Sequence, residues 1–417
     1  MKKNKLPLSV LDSPLEKKII AIEKQKLNAL LEITNSVNKN YKVADLLSQF
    51  ENVMKDYIGI SKLAFINDHQ NWDCILNYGI GEVCKDFVYT SLLPYEQTIL
   101  VRETELKGLE DFDILLPVFH KERPLSYLLI GGINEEEMLG FIQNHVGFVQ
   151  TIANVVSVAI ETKKLVKELI AKKLEEKDME MAAEMQKLLL PNNLPTNHLI
   201  DISATYIAKH MVSGDYYDFI RIDEDEYVFC IADVSGKGMP AAMLMSNFQA
   251  TLRANLKYNH HNLTLEGLII ELNRSVLSAA NGEKFITFFI GYYNEKSRNL
   301  KYVNAGHNYP ILCQNNKIYE LKTGCTALGI FETLPTIETK EIKLESNTII
   351  VCYTDGLVEA ENSEGEQFQT DRLSEAIVAN SYLNMKQMNS SLIKEISEYK
   401  GENELPDDVA ILSLRII

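Results

Sequence analysis

The run Tyr227-Val228-Phe229-Cys230-Ile231-Ala232-Asp233-Val234-Ser235-Gly236-Lys237-Gly238 constrains this chain more than any other stretch. An apolar, strand-like segment ends in an acid. A turn with two glycines follows, and Met239-Pro240 opens a helix-like Ala241-Ala242-Met243-Leu244. A carboxylate at the end of a buried strand, with glycines behind it, is a place where a hard cation or a phosphate can be reached. Three other acidic clusters converge on the same pattern: Gly214-Asp215-Tyr216-Tyr217-Asp218, Tyr353-Thr354-Asp355-Gly356 and Pro406-Asp407-Asp408.

Around these clusters, residues 192–417 read as short strands with several helices. Strands are expected at 199–207, 219–221, 226–232, 285–293, 300–304, 311–314, 318–321, 338–343, 348–353 and 409–414. Helices are expected at 240–257, 263–280, 371–379 and 385–399. The pattern fits two antiparallel sheets with helices outside them.

Upstream the character differs. Residues 1–24 are polar and charged and read as an arm, mobile or briefly helical. Leu27, Leu30, Leu31, Ile33 and Val37 recur at helical spacing, and a second helix is expected over Val43–Tyr57, with a break at Asn40-Tyr41. Strands follow at 62–67 and 72–78, with a turn at 68–71, and at 113–118 and 126–132, joined through His120–Pro124. Two helices, a few strands and a long closing helix resemble a GAF-like sensory domain over residues 25–150. Neither a haem-type nor a chromophore-type motif is present, and Cys74 and Cys84 read as core or loop residues.

From His145 to Leu190 the pattern is helical, with no Gly or Pro after Gly147. Ile152, Val156, Ala159, Val166, Ile170, Leu174, Met181, Met185 and Leu188 step by three, four or seven, a heptad-like seam. Charge covers the remaining surface. A parallel coiled coil with a second copy satisfies such a helix; the competing reading is a single helix packed on its own domains. Pro191 ends the pattern.

Length, 417 residues, allows two or three domains, and the formal net charge is −16. That balance argues against nucleic acid or an anionic membrane surface as main partner. Six cysteines lie far apart with no C-x-x-C pair, as in a protein with reduced thiols, and no signal peptide or membrane span is visible. A cytoplasmic protein is expected.

The acidic clusters define the chemistry. Mg2+ and Mn2+ prefer oxygen ligands and need few protein carboxylates. Several buried carboxylates would each cost several kcal/mol, on the order of the buried-ion penalty, unless cations neutralise them. No His/Cys set has zinc spacing, and His307 in Asn304-Ala305-Gly306-His307-Asn308 reads as a turn or core residue. Asp215 and Asp218, three apart on a strand, face opposite ways, so one of them is expected at a metal.

In order, Ser213–Asp218, Ala232–Ala242, Asn304–Asn308, Tyr353–Gly356 and Asp407-Asp408-Val409 resemble the metal-dependent (PPM) protein phosphatases, in their bacterial SpoIIE-like branch. The resemblance covers about residues 180–417, with Ala182–Pro191 resembling the helix that links a sensor to the catalytic domain there. It implies two Mn2+ or Mg2+ ions bridged by Asp233, with the Val234 carbonyl and Asp215 on one. Asp355 and one of Asp407 or Asp408, with Asp407 favoured, would hold the other. It implies in-line attack by a shared water, without a covalent intermediate. Ser213 stands where the branch has Gly, and Ala410 where Thr is common. No Arg stands at an obvious phosphate-binding position, and Lys209 is a weak candidate.

The expected architecture is α+β. It comprises an arm (1–24), a GAF-like α/β domain (25–150), a coiled-coil linker helix (151–191) and a two-sheet antiparallel β-sandwich flanked by helices (192–417). The expected activity is hydrolysis of phosphoserine or phosphothreonine on a signalling protein, with an anti-sigma-factor antagonist implied by the resemblance. The sensory domain, binding an unidentified small molecule or protein, would regulate it through the helix in a homodimer. A catalytically silent dimeric sensor-scaffold is the alternative, which the intact acids disfavour; a metal nuclease would want a basic stripe that is absent.

Overall fold

The computed structural model describes residues 14–67, 72–80, 89–104, 106, 108–191, 193–209, 211–258 and 264–417. Within it the chain forms two compact units, Met1–Lys173 and Leu174–Ile417, and the division falls inside one helix.

The first unit contains helices α1 (Pro14–Asn38), α2 (Val43–Asn52), α3 (Glu135–Phe141) and the start of α4 (Gly147–Lys187). Its strands are β1 (Lys62–Asn67), β2 (Asp73–Tyr78), β3 (Ile99–Leu100), β4 (Ile114–His120) and β5 (Arg123–Gly131). They form one antiparallel sheet in the order β2-β1-β5-β4-β3. Alternation splits β1 and β5 between two cores. Phe65, Leu128 and Ile130 meet Ile33, Phe50, Val149, Ile152 and Val156 from the helices, while Ala64, Ile66, Tyr127 and Leu129 meet Trp72, Leu92 and Phe112.

Three expectations shift here. Residues 14–24, taken as arm, are already helical; residues 1–13, the turn at 68–71 and Cys84 lie outside the described residues. Pro124 belongs to β5 rather than to the connection. It pairs with Phe119 just past a register shift, near the hairpin end, where a strand tolerates a missing N–H donor. Ile152 and Val156, placed in the seam by spacing, are buried in the first unit's own core, and Ala159 is buried as well. The stripe from Val166 through Ile170, Leu174, Met181 and Met185 is exposed.

The second unit adds helices α5 (Met239–Tyr258), α6 (Leu265–Ala280), α7 (Asp355–Val358), α8 (Gln369–Ala379) and α9 (Met385–Lys400). Its strands are β6 (Ile200–Ile207), β7 (Tyr216–Arg221), β8 (Glu226–Val234), β9 (Ile286–Asn294), β10 (Asn299–Ala305) and β11 (Ile311–Gln314). There follow β12 (Lys317–Glu320), β13 (Gly324–Cys325), β14 (Lys340–Lys343), β15 (Thr348–Tyr353) and β16 (Val409–Ile416). One sheet runs β13-β10-β9-β8-β7 with β14 also on β10; the other runs β12-β11-β15-β16-β6. All pairings are antiparallel except β10 with β13.

Period-2 alternation builds the sandwich. Ile350, Cys352, Leu412 and Leu414 point inward to a core shared with Tyr217, Ile231 and Phe289 of the first sheet. Their neighbours Ile349, Val351, Tyr353 and Ile411 point outward, under Leu373, Ile377, Met388 and Leu392 of α8 and α9. Helices α5 and α6 cover the first sheet through Met245, Phe248, Leu252 and Leu272. The strand ends that carry the acids therefore come from both sheets.

Candidate metal and phosphoryl site

Asp233 is the second-to-last residue of β8, and Asp215 lies one residue before β7, which pairs with β8. Asp355 opens α7 directly after β15, and Asp407 and Asp408 precede β16, which pairs with β15. Two glycines allow the four loops to meet. A Cβ on Gly214 would stand 2.8 Å from the Val234 carbonyl oxygen and 3.3 Å from Asp233 Oδ1. One on Gly356 would stand 2.1 Å from the Asp408 carbonyl oxygen. Backbone approach this close excludes any side chain.

The electrostatics follow from the crowding. Asp215 is buried, and burial, then the Asp233 carboxylate, hold its pKa well above the ordinary range. Asp233 is pushed up to about 7 by burial, then by Asp355 and Asp407, and its carboxyl is within hydrogen-bonding reach of Asp215. Burial and Asp407 raise Asp355 as well. Carboxyls arranged this way share protons unless cations are supplied. Among the described residues one ion pair to the set is formed, from Lys237 Nζ to Asp407 Oδ2 at 2.7 Å.

The donor set, all oxygen and all strand-end carboxylates beside a backbone carbonyl, fits hard divalent cations. The acids are gathered but not closed: among the described residues no three His, Cys, Asp or Glu side chains already surround a single point.

Asp218 leaves the set. It is fully buried on β7, where Arg253 of α5 grips both oxygens at 2.7 and 2.9 Å and the Tyr216 hydroxyl donates to it. The two side chains part, Asp215 lying beside Asp233 and Asp218 on Arg253. Lys209 is spent on structure: its backbone N–H donates to Asp408 Oδ1 at 2.7 Å and its ammonium to the Pro406 carbonyl at 2.8 Å. Ser213 is absent from the residues with positive φ, so its Cβ is tolerated, and its hydroxyl accepts from the Asp215 N–H.

Thr354 escaped the sequence reading. Fully buried, its hydroxyl donates to Asp215 Oδ2 at 2.8 Å and accepts from the Ala410 N–H at 2.8 Å. That second bond engages the backbone of Ala410, so its lack of a hydroxyl leaves the link intact. A threonine at the end of an apolar strand beside an acid was the available signal. His307 is a core residue, as read. Nε2 lies 3.1 Å from the Tyr353 carbonyl and Nδ1 2.9 Å from Thr287 Oγ1, which ties β9 to the end of β15.

Just before the site, Gln186, in the last turn of α4, clamps the backbone of Ser213. Its Nε2 donates to the Ser213 carbonyl at 2.6 Å and its Oε1 accepts from the Ser213 N–H at 3.1 Å. Leu190 enters the sandwich core, Leu189 packs against it and Leu188 stays exposed.

A two-sheet antiparallel sandwich that gathers strand-end carboxylates from both sheets offers an all-oxygen site suited to divalent-metal chemistry. The model of the family "Stage II sporulation protein E (SpoIIE)" matches residues 223–417. Phosphoserine phosphatase RsbU of Bacillus subtilis is 30% identical over 248 residues, 57% of this chain and 70% of that protein. Phosphoserine phosphatase RsbP of the same organism is 26% identical over 189 residues, 44% of this chain and 45% of that one. The SiaA-PP2C domain of Pseudomonas aeruginosa shares the fold, with a TM-score of 0.54 at 19% identity, covering 59% of this chain and 99% of that domain. The chain belongs to the SpoIIE family of PPM-type serine/threonine phosphatases.

Proposed function

We propose that the Leu174–Ile417 unit hydrolyses phosphoserine or phosphothreonine on a protein, using divalent cations. The observation that carries this is the gathering of Asp215, Asp233, Asp355, Asp407 and Asp408, acids up to 193 positions apart in sequence, with Lys237 as the ion-paired cation among the described residues. Asp233, the Val234 carbonyl, Asp215, Asp355 and one of Asp407 or Asp408 would hold two Mn2+ or Mg2+ ions. Such ions, when bound, supply Lewis acidity and a water acidic enough to attack phosphorus near neutral pH. The chain's own part is orientation. Thr354 keeps Asp215 turned inward, and the glycines keep the loops in contact.

The first unit is read as a GAF-like sensory module with an unidentified ligand. The exposed stripe from Val166 to Met185 is read as the seam of a homodimer, with a phosphorylated signalling protein, such as an anti-sigma-factor antagonist, as substrate. The Gln186 clamp supports regulation through α4, because any shift of that turn pulls on the backbone two residues from Asp215. No helix among the described residues is long and apolar enough to cross a membrane.

The test compares the full chain with a fragment starting at Leu174, on a phosphoserine peptide, with Mn2+ and with chelator. A fragment from residue 192 would discard Gln186 and Leu190 and is the wrong cut. Mn2+-dependent release of phosphate is expected; its absence from both proteins would overturn the reading.

A further inference from the structure

We propose that Lys237 is the phosphoryl-binding cation of this site, an inference that rests on the phosphatase reading. A phosphate dianion that approaches five carboxylates is repelled unless cations face it, and lysine is a common phosphate partner, acting as a point charge. Nearby cations are otherwise engaged. Arg253 is locked on buried Asp218. Lys209 donates to Pro406, and the Lys284 ammonium donates to the Ser235 carbonyl at 2.9 Å under Gly236.

Lys237 differs in two ways. Its side chain, 49% exposed, is held from the solvent side by Asp407 at 2.7 Å and by a long contact to the Pro406 carbonyl at 3.4 Å, where Arg253 has a bidentate grip on a buried acid and Lys209 a 2.8 Å bond to that same carbonyl. It also stands between Gly236 (φ +90°) and Gly238 (φ +72°), backbone that only glycine adopts without strain. The loop therefore presents the ammonium at the mouth of the acid cluster and leaves it room to turn. With a divalent cation held on Asp407, like-charge repulsion would weaken that ion pair, and the exposed ammonium would be free to turn from the surrounding carboxylates Asp355, Asp408 and Glu359 to the phosphoryl group of a bound substrate.

The experiment uses the full chain and the variants Lys237→Met and Lys237→Arg. Two quantities are measured by calorimetry: Mn2+ affinity, and the affinity of the Mn2+-loaded protein for inorganic phosphate. Steady-state kinetics on the phosphoserine peptide accompany them. For Lys237→Met, phosphate affinity is expected to fall about tenfold and KM to rise to match, the loss of one charge-assisted contact. Mn2+ affinity is expected to hold or increase, because a competing cation is gone. Lys237→Arg should recover most of the phosphate affinity. Unchanged phosphate affinity in Lys237→Met, weakened Mn2+ binding, or failure of arginine to rescue would overturn the proposal, and weakened Mn2+ binding would assign Lys237 to holding Asp407 in place. The parent protein, assayed first, separates this from the underlying reading: without Mn2+-dependent turnover there, the phosphatase reading itself fails.

Discussion

The metal-ligand role proposed for Asp233 rests on its charge, and asparagine fills the same space without it. Asp233→Asn should leave the fold intact and remove at least 100-fold of Mn2+-dependent turnover, roughly the scale of losing one electrostatic stabiliser. Circular dichroism and the phosphate-release assay check both halves; full turnover in the folded variant would reject the metal assignment. His307 makes a different prediction. Burial pulls its pKa down to about 4, so it is neutral in the folded chain at pH 7. Between pH 6.5 and 4 the unfolded chain takes the proton first, and stability is lost as pH falls through that window, by up to roughly 3 kcal/mol. Urea unfolding in chelator, at pH 7.5 and 4.5, should show the stability gap between the parent and His307→Asn shrinking at the lower pH. A gap independent of pH would mean the imidazole titrates normally.

Among the elements, the end of α4 carries the strongest coupling. Gln186 pairs with the Ser213 backbone on both its donor and acceptor sides, and Leu189 packs on the core while Gln249 donates to its carbonyl at 3.3 Å. Gln186→Ala leaves a buried N–H and C=O without partners and should cost about 1–3 kcal/mol. It should also lower Mn2+ affinity, since Asp215 follows two residues later. Leu189→Ala should act in the same direction more weakly. Turnover and Mn2+ titrations of both variants decide this: parent-like values in each would make the helix a passive linker. The strand elements were largely legible in the sequence, because alternation and turn chemistry are local. Helix α7 and strand β13, of four and two residues, were not, being too short to carry a period.

For the whole molecule, two measurements matter. The residues expected in the α4 seam are exposed only from Val166 onward, so a fragment of the helix alone would also bare core residues such as Ile152 and Val156 and is a poor probe. In the full chain, Ile170→Lys places a charge in the stripe. Sedimentation should show a parent dimer that dissociates at least tenfold more readily in the variant; a monomeric parent at high concentration would reject the coiled coil. Divalent cations should stabilise the fold, since binding to the native state adds to stability by mass action. Mn2+ should therefore raise Tm, and more at pH 8 than at pH 5, because Asp215, Asp233 and Asp355 hold their protons above the ordinary range and must release them to bind. An equal rise at both values would count against these acids as ligands.

Local chemistry carried much of this protein's description. Apolar runs ending in acids, turn glycines at 236 and 238, and the three-residue spacing of Asp215 and Asp218 are readable along the chain, because strand periodicity and backbone freedom depend on near neighbours. Only the tertiary structure decided what pairs across distance. Arg253 neutralises Asp218 from 35 residues away, Thr354 bridges Asp215 and Ala410, and Lys237 rests on Asp407. The heptad spacing of α4 could not say which residues face a partner and which a core, since both burials use the same helical repeat. Packing in the first unit's core settled that for Ile152 and Val156.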